Sequence, residues 1–160
     1  MVSFGVTVLF RTRVFAAVLA ALPLVATASS LTIDDAWVRA LPPVQKTTAA
    51  YLSLSNSGSE PAEVVAATVS GAGKVEIHTT AEVDGLLRMM ELTTLTVAPG
   101  DTVALAPGGT HLMLFDLEAM PQPGQTRTLC LTFASGEELC TEAEVRKSAA
   151  SAGDHHHHHH

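Results

Sequence analysis

Residues 128–145 read TLCLTFASGEELCTEAEV and carry the pattern of a β-hairpin. Apolar and polar side chains alternate on both sides of Ala134-Ser135-Gly136, as they do in strands that bury one face. A three-residue loop that ends in glycine is a recognised hairpin connection, because that position requires a positive φ. The loop sets a register in which Cys130 lies directly opposite Cys140. The segment therefore predicts an antiparallel pair of strands near the C-terminus.

The same combination of short alternating runs and turn residues fills the chain upstream of this hairpin. Turn signals such as Asp84-Gly85 and Pro107-Gly108-Gly109 recur about every ten residues, a spacing typical of antiparallel sandwiches and barrels. No helical periodicity of useful length is present after the N-terminal segment. Strands are predicted at 37–39, 49–55, 62–69, 74–79, 86–90, 95–97, 102–105, 111–117, 126–133 and 138–145. The fold class expected is all-β, as an antiparallel sandwich or barrel.

The N-terminal segment has the pattern of a secretory signal peptide. Arg11 and Arg13 precede the apolar stretch VFAAVLAALPLVA, and Ala26-Thr27-Ala28 forms an A-x-A cleavage site. A membrane anchor is the alternative, but the apolar run is shorter than the roughly 18 residues that a spanning helix needs. We therefore predict a cleaved signal at 1–28, a periplasmic β-domain at 29–147, and a flexible tail with a His-tag at 148–160.

The composition of the mature region excludes some partners. Without Arg11 and Arg13, seven of the nine basic residues face sixteen acidic ones, a net charge of −9. Such a surface repels phosphate backbones and anionic lipid, so neither nucleic acid nor stable membrane insertion is expected. We expect a monomer.

The chain has two cysteines, and their role can be inferred because the protein is expected to be exported. In an oxidising compartment an even number of cysteines indicates a disulfide, and a directly opposed pair can form one when it is of the non-hydrogen-bonded kind. Nine residues lie between Cys130 and Cys140, so they do not form the C-x-x-C motif of thioredoxin-like proteins. No cysteine precedes Cys130, so a lipoprotein signal cysteine is absent. We predict a structural disulfide.

Soft metal ligands cluster in the middle of the chain. Outside the tag and the signal, the histidines and methionines are His78, Met89, Met90, His111, Met113 and Met120. His111 and Met113 alternate in a predicted strand, so they share one face, whereas His78 lies on the outward face of its own strand. Met89 and Met90 must point to opposite sides, so one can pack in the core while the other joins the histidines. A single histidine or methionine in a β-domain is usually packing or surface. The set His78, Met89, His111 and Met113 instead indicates a soft-metal site.

The ligand types indicate which metal would bind. Thioether sulfur is soft and uncharged and favours Cu(I), whereas zinc prefers thiolate, imidazole and carboxylate. A blue-copper centre would need a cysteine thiolate, and here both cysteines are predicted to be oxidised. Neutral ligands suit the transport of Cu(I) rather than its redox cycling. Affinity should fall as the two histidines become protonated, because imidazole must be neutral to bind.

The spacing of the four residues has the form H-x10-M-x21-H-x-M. It resembles the signature of the PCuAC family of periplasmic copper chaperones. The resemblance covers nearly all of the mature chain, through DAWVRALPPVQKTTAAYLSLSNSGSEPAEVV, VEIHTTAEVDGLLRMMEL and LAPGGTHLMLFDLE.

This resemblance implies a cupredoxin-like Greek-key β-fold that binds one Cu(I) ion through His78, Met89, His111 and Met113. It also implies delivery to the dinuclear copper centre of cytochrome c oxidase subunit II, alongside a Sco-type thioredoxin-like protein. Family members often have a further methionine near 82 or 87, where this chain has Glu82 and Leu87. The cysteine pair is not part of the family pattern, and the His/Met-rich extension of some members is not seen here.

Other classes of function compete with the carrier. A copper buffer or storage protein would use the same ligands. If the protein were a metal-free β-sandwich interaction domain, the spacing of these residues would be a coincidence. A redox-active copper protein would give a strong visible band with Cu(II). An enzyme is not expected, because neither histidine lies beside a residue that would make it a general base.

Overall fold

A computed structural model describes residues 30–149, and within that range the protein consists of ten β-strands and no helix. The strands are β1 (Leu31–Arg39), β2 (Thr48–Asn56), β3 (Ala62–Val69), β4 (Lys74–Val83), β5 (Leu86–Leu92), β6 (Leu95–Val97), β7 (Thr102–Leu105), β8 (His111–Phe115), β9 (Thr126–Phe133) and β10 (Glu138–Arg146). The all-β prediction is confirmed. The predicted signal and the residues from 150 onward lie outside the described range. No helix that could span a membrane occurs in residues 30–149.

The strands form one mixed sheet that does not close into a barrel. Their order is β5-β4-β8-β2-β1-β10-β9-β3-β6, and β7 pairs with β2 beside β8. Every pair is antiparallel except β1 with β10, which run parallel. The sheet departs from the expected antiparallel arrangement at this one pair. These are the first and last strands, and no hairpin connects them, so no turn signal sets their relative direction.

The main hydrophobic core lies between the two halves of the folded sheet, where β3 approaches β4 without pairing with it. Leu112 and Leu114 of β8, which are 0% and 1% exposed, belong to the same buried cluster as Leu129 and Leu131 of β9. Alternate residues of β8 therefore face the core, as its alternation predicts. His111 and Met113 are left on the opposite face of the sheet.

The C-terminal hairpin has the predicted register. Cys130 pairs with Cys140 across β9 and β10, and Gly136 in the loop has a φ of 85°. The cysteine Cα atoms are 4.0 Å apart, close to the short spacing of a non-hydrogen-bonded pair, and the two residues form a disulfide. The hairpin, its loop and its cross-link are thus as the sequence indicates.

The hairpin of β4 and β5 is longer than predicted. Asp84 and Gly85 form its turn with φ values of 53° and 76°, as a type I′ turn requires, and the ladder continues from there to the pair Ile77–Leu92. Strand β8, which pairs with the other side of β4, ends at Phe115 because Asp116 adopts a φ of 52° and leaves the ladder. The β4–β5 ladder fixes which face of β5 each methionine occupies.

A second, smaller cluster occupies the outer face of the sheet. Trp37, Ala49 and Tyr51 are buried there, and the partly buried Met113 packs against them. Trp37 and Tyr51 are only 2% and 4% exposed. This outer cluster forms the floor on which the candidate site is built.

Candidate metal centre

The register of β4 and β8 brings the two histidines together. His78 is paired directly with His111, although the two residues are far apart in the sequence. Directly opposed residues of neighbouring strands share a face, and their Cβ atoms are about 4.5–5.5 Å apart. The centroids of the imidazole rings are 6.1 Å apart. The strand pairing therefore creates a two-histidine cluster.

Both predicted methionines lie on the face that carries these histidines. Met113 is two residues beyond His111 on β8. Met89 is paired with Thr80, which is two residues beyond His78 on β4. The four predicted ligand positions thus lie on three adjacent strands and on one face of the sheet.

The other soft residues are placed elsewhere. Met90 is paired with Thr79 and lies on the opposite face of β5, where it is 42% exposed. Neither Met89 nor Met90 packs in the core, because β5 is an edge strand that leaves both exposed. Met120 is 4% exposed within the main core, and the cysteines are joined in the disulfide on β9 and β10.

An open cavity of about 320 Å³ adjoins the cluster. Its lining includes Arg39, Tyr51, Thr80, Met89, His111 and Met113. Three of the four predicted ligands therefore face one cavity. His78 lies beside it, in ring contact with His111 and with Phe115, whose ring centroid is 6.2 Å away.

The orientation of His111 is fixed by its backbone neighbour. The ring is 5% exposed, and its Nδ1–H donates to the carbonyl oxygen of Gly109 at 2.8 Å. A carbonyl oxygen can only accept, so Nδ1 carries the proton and Nε2 has a free lone pair. A hydrogen bond of this kind is typical of metal-binding histidines, because it fixes both tautomer and ring orientation.

His78 is held by a carboxylate. Its Nε2 lies 2.7 Å from Oε2 of Glu76, and both side chains are about 15% exposed. The Nδ1 atom of His78 is buried and has no hydrogen-bond partner in residues 30–149. Glu76 is also bound by Lys74, and the hydrogen bonds from Lys74 and then from His78 lower the pKa of the Glu76 carboxyl.

An aromatic group with two cations, Arg39 and Arg146, extends the site toward β1. The ring of Tyr51 lies between Trp37, at a centroid distance of 4.4 Å, and His111, at 6.3 Å. The guanidinium of Arg39 lies 5.2 Å from the centroid of the Tyr51 ring. Burial raises the pKa of Tyr51, and the positive charge of Arg39 opposes that shift. The Tyr51 phenol is therefore neutral at physiological pH, and the residue lines the cavity.

Three residues at the site were not predicted from the sequence. Glu76 lies two residues before His78, and that alternation was a signal that a charged group shares the histidine's face. Arg39 and Tyr51 carried no such signal. Their proximity depends on the pairing of β2 with both β1 and β8.

The donor atoms of the four positions are two imidazole nitrogens and two thioether sulfurs. All are neutral, and none is a hard oxygen ligand of the kind that Mg²⁺ or Ca²⁺ requires. One of the two nitrogens is on His78, whose buried Nδ1 has no hydrogen-bond partner in residues 30–149. The set suits a soft monovalent cation.

Solved structures define the class of domain to which this fold is similar. The copper-bound PCuAC domain from PmoF2 matches with a TM-score of 0.62 at 21% identity, covering 76% of this chain and 96% of that domain. The solution structure of CuI-DR1885 from Deinococcus radiodurans matches with a TM-score of 0.59 at 29% identity, covering 81% of this chain and 82% of that one. The protein has the cupredoxin-like fold of PCuAC domains.

Sequence comparison defines the family. Residues 31–145 match the LpqE-like family ("Putative lipoprotein LpqE-like"), and the chain belongs to it. The "Putative lipoprotein Lxx21020" of Leifsonia xyli subsp. xyli (strain CTCB07) is 36% identical over 110 residues, which are 68% of this chain. The match spans 65% of that relative's length.

Proposed function

We propose that this protein is an exported Cu(I) carrier that binds one ion through His78, Met89, His111 and Met113. One observation carries the proposal. The pairing of β4 with β5 and β8 assembles these four residues, which span 36 positions of the chain, on a single face of the sheet. Two imidazoles and two thioethers form a donor set that favours Cu(I) over hard cations.

The relatives support copper as the metal that the protein carries, and they support its export. Two of the similar solved structures are named for their bound copper, one of them as the CuI form. The family and its Leifsonia member carry the description "Putative lipoprotein", and lipoproteins are a class of exported protein. Export is also what the signal predicted at 1–28 indicates. We propose a periplasmic location, where both the disulfide and the transfer of copper between proteins are expected.

The accessibility of the ligands favours a carrier over a catalyst. His111 is 5% exposed, whereas Met89 is 54% exposed on an edge strand. A partner's ligand can therefore displace the Met89 thioether first, while the buried histidine still holds the ion. The two cysteines are joined in a disulfide, so neither supplies the thiolate of a blue-copper redox centre.

We propose the dinuclear copper centre of cytochrome c oxidase subunit II as the acceptor, with a Sco-type thioredoxin-like protein acting on the same centre. This part of the proposal rests on the resemblance of the ligand spacing to that of PCuAC chaperones. A monomer with an accessible rim around Met89 would present the ion directly to such a domain.

The test of binding is an anaerobic Cu(I) titration against a chromophoric chelator, with the tag at His155–His160 removed. Replacing both ligands of β8, as His111→Ala with Met113→Ala, should weaken Cu(I) binding by orders of magnitude. Met120→Leu, in the core and away from the site, is the control for methionine loss. Unchanged affinity in the double variant would refute the assigned site.

The test of delivery is transfer of Cu(I) from the loaded protein to an isolated subunit II copper domain. We expect the acceptor to gain the ion when the two proteins are mixed without free copper. Tight binding without transfer would instead favour a buffer or storage protein.

A further inference from the structure

The two histidines present different ring nitrogens to the site. His111 donates from Nδ1 to the Gly109 carbonyl, so its free nitrogen is Nε2. His78 has the reverse arrangement, since the nitrogen near Glu76 is Nε2. An ionised carboxylate can only accept, so Nε2 of His78 carries the proton and the lone pair lies on Nδ1.

The lone pair of His78 has no protein partner. Nδ1 is buried, and no donor in residues 30–149 bonds to it. Such buried acceptors are rare in folded proteins and call for an explanation, often an ion or a water. The ring is also confined by aromatic neighbours, with centroids 6.1 Å away at His111 and 6.2 Å away at Phe115. The unpartnered lone pair is therefore held in one place and does not turn to solvent.

The geometry points to Glu76 as a positioning residue that holds His78 in the Nε2–H tautomer, so that Cu(I) is bound by Nδ1 of His78 and by Nε2 of His111. This inference rests on the proposed function, because it names the atoms of that same site. Glu76 would not touch the ion. It would act through the imidazole, as carboxylates do in carboxylate–histidine–metal arrangements.

The position of Glu76 suits this role. It lies two residues before His78 on β4, so both side chains share the site's face, and its side chain is only 14% exposed. Lys74, two residues earlier on the same face, binds the other carboxylate oxygen and leaves Oε2 directed at the ring. The carboxylate also brings a negative charge next to a set of otherwise neutral ligands.

Glu91 provides a matched control on the opposite side of the same histidine. It is paired with His78 across β4 and β5, it shares that face, and it carries the same charge. The side-chain hydrogen bond of His78 is made to Glu76 and not to Glu91. Removing either carboxylate takes one negative charge from this face, but only the loss of Glu76 removes the hydrogen bond to the ring.

The experiment uses long-range ¹H–¹⁵N correlation spectra of the imidazole rings in tag-free protein, recorded without copper and with one equivalent of Cu(I). In the wild-type protein without copper, His78 should give the Nε2–H pattern and His111 the Nδ1–H pattern. Cu(I) should then shift the ¹⁵N resonances of Nδ1 of His78 and Nε2 of His111.

Glu76→Leu should mix the His78 tautomers and weaken Cu(I) binding about 10- to 100-fold. Glu91→Leu should change neither, and Glu76→Gln should keep the tautomer, because its amide oxygen still accepts.

The outcomes separate the two proposals. If wild-type protein fails to bind Cu(I), the proposed function is refuted, while the spectra without copper still test the tautomer of His78. If Cu(I) binds but shifts Nε2 of His78, or if Glu76→Leu behaves like Glu91→Leu, the inference is overturned and the proposed function stands. If Glu76→Leu does not fold, the wild-type spectra with and without copper decide the matter.

Discussion

At the residue scale, the decisive feature is the different environment of two adjacent methionines. Met89 lines the same cavity as His111 and Met113, whereas Met90 lies on the opposite face of β5. Both are exposed by more than 40%, so neither contributes much to the core. Substitution of either should leave folding intact. The Cu(I) affinities of the two variants can therefore be compared directly.

We expect Met89→Ala to weaken Cu(I) binding at least tenfold, because one of four ligands is lost, and Met90→Ala to leave the affinity unchanged. Chelator competition under anaerobic conditions measures both. Equal effects of the two substitutions would mean that the thioether on the histidine face is not a ligand.

Much of this residue-scale picture could be predicted from the sequence. The alternation in His111-Leu112-Met113 fixes two ligands on one face, because side chains in a strand repeat every two residues. The partnership of Glu76 with His78 could not be read in the same way. It depends on the side-chain conformations of both residues, and these become determined only when β4 is packed between β5 and β8.

At the element scale, local turn chemistry accounts for the hairpins and long-range pairing accounts for the site. Gly136 and Asp84-Gly85 adopt the positive φ values that their turns require, so the β9–β10 and β4–β5 ladders follow from short stretches of sequence. The pairing of β4 with β8 and of β1 with β10 joins strands without a tight turn between them. No local signal fixes those pairings, which is why the direct opposition of the histidines and the parallel pair were not predicted.

The disulfide should stabilise the fold without affecting the copper site. It closes a loop of sequence separation 10 between β9 and β10, neither of which carries a proposed ligand. Chain-entropy arguments give about 2–3 kcal/mol for a loop of this size. Cys130→Ser with Cys140→Ser should therefore lower the free energy of unfolding by about that amount in urea titrations, again on the loop-entropy estimate.

The same double variant should retain wild-type Cu(I) affinity under conditions in which it remains folded. A large loss of affinity would show that the β9–β10 hairpin communicates with the site. An unchanged free energy of unfolding would show that the cross-link does not stabilise the native state.

At the scale of the whole molecule, the sheet separates stability from binding. The main core lies on one face, built from residues such as Leu112 and Leu129, and the candidate site lies on the other face near the β5 edge. The all-β class was predictable from the density of turn signals. The open, folded sheet with a separate aromatic cluster around Trp37 was not, because it depends on which strands lie side by side.

Cu(I) should stabilise the folded protein, because the four ligands are brought together only in the native sheet. Linkage gives about 2.7 kcal/mol when free Cu(I) is a hundredfold above Kd. Anaerobic thermal unfolding should show a rise in Tm with Cu(I), and the rise should be lost in His78→Ala with His111→Ala. An equal rise in that variant would indicate binding elsewhere in the chain.

The central claim is that His78, Met89, His111 and Met113 form one Cu(I) site, and X-ray absorption of the tag-free, Cu(I)-loaded protein tests it most directly. We expect a Cu(I) edge with two nitrogen and two sulfur neighbours. Met89→Ala should lose one of the sulfur neighbours, and Met90→Ala should keep both. A copper environment without sulfur, or one that Met89→Ala leaves unchanged, would contradict it.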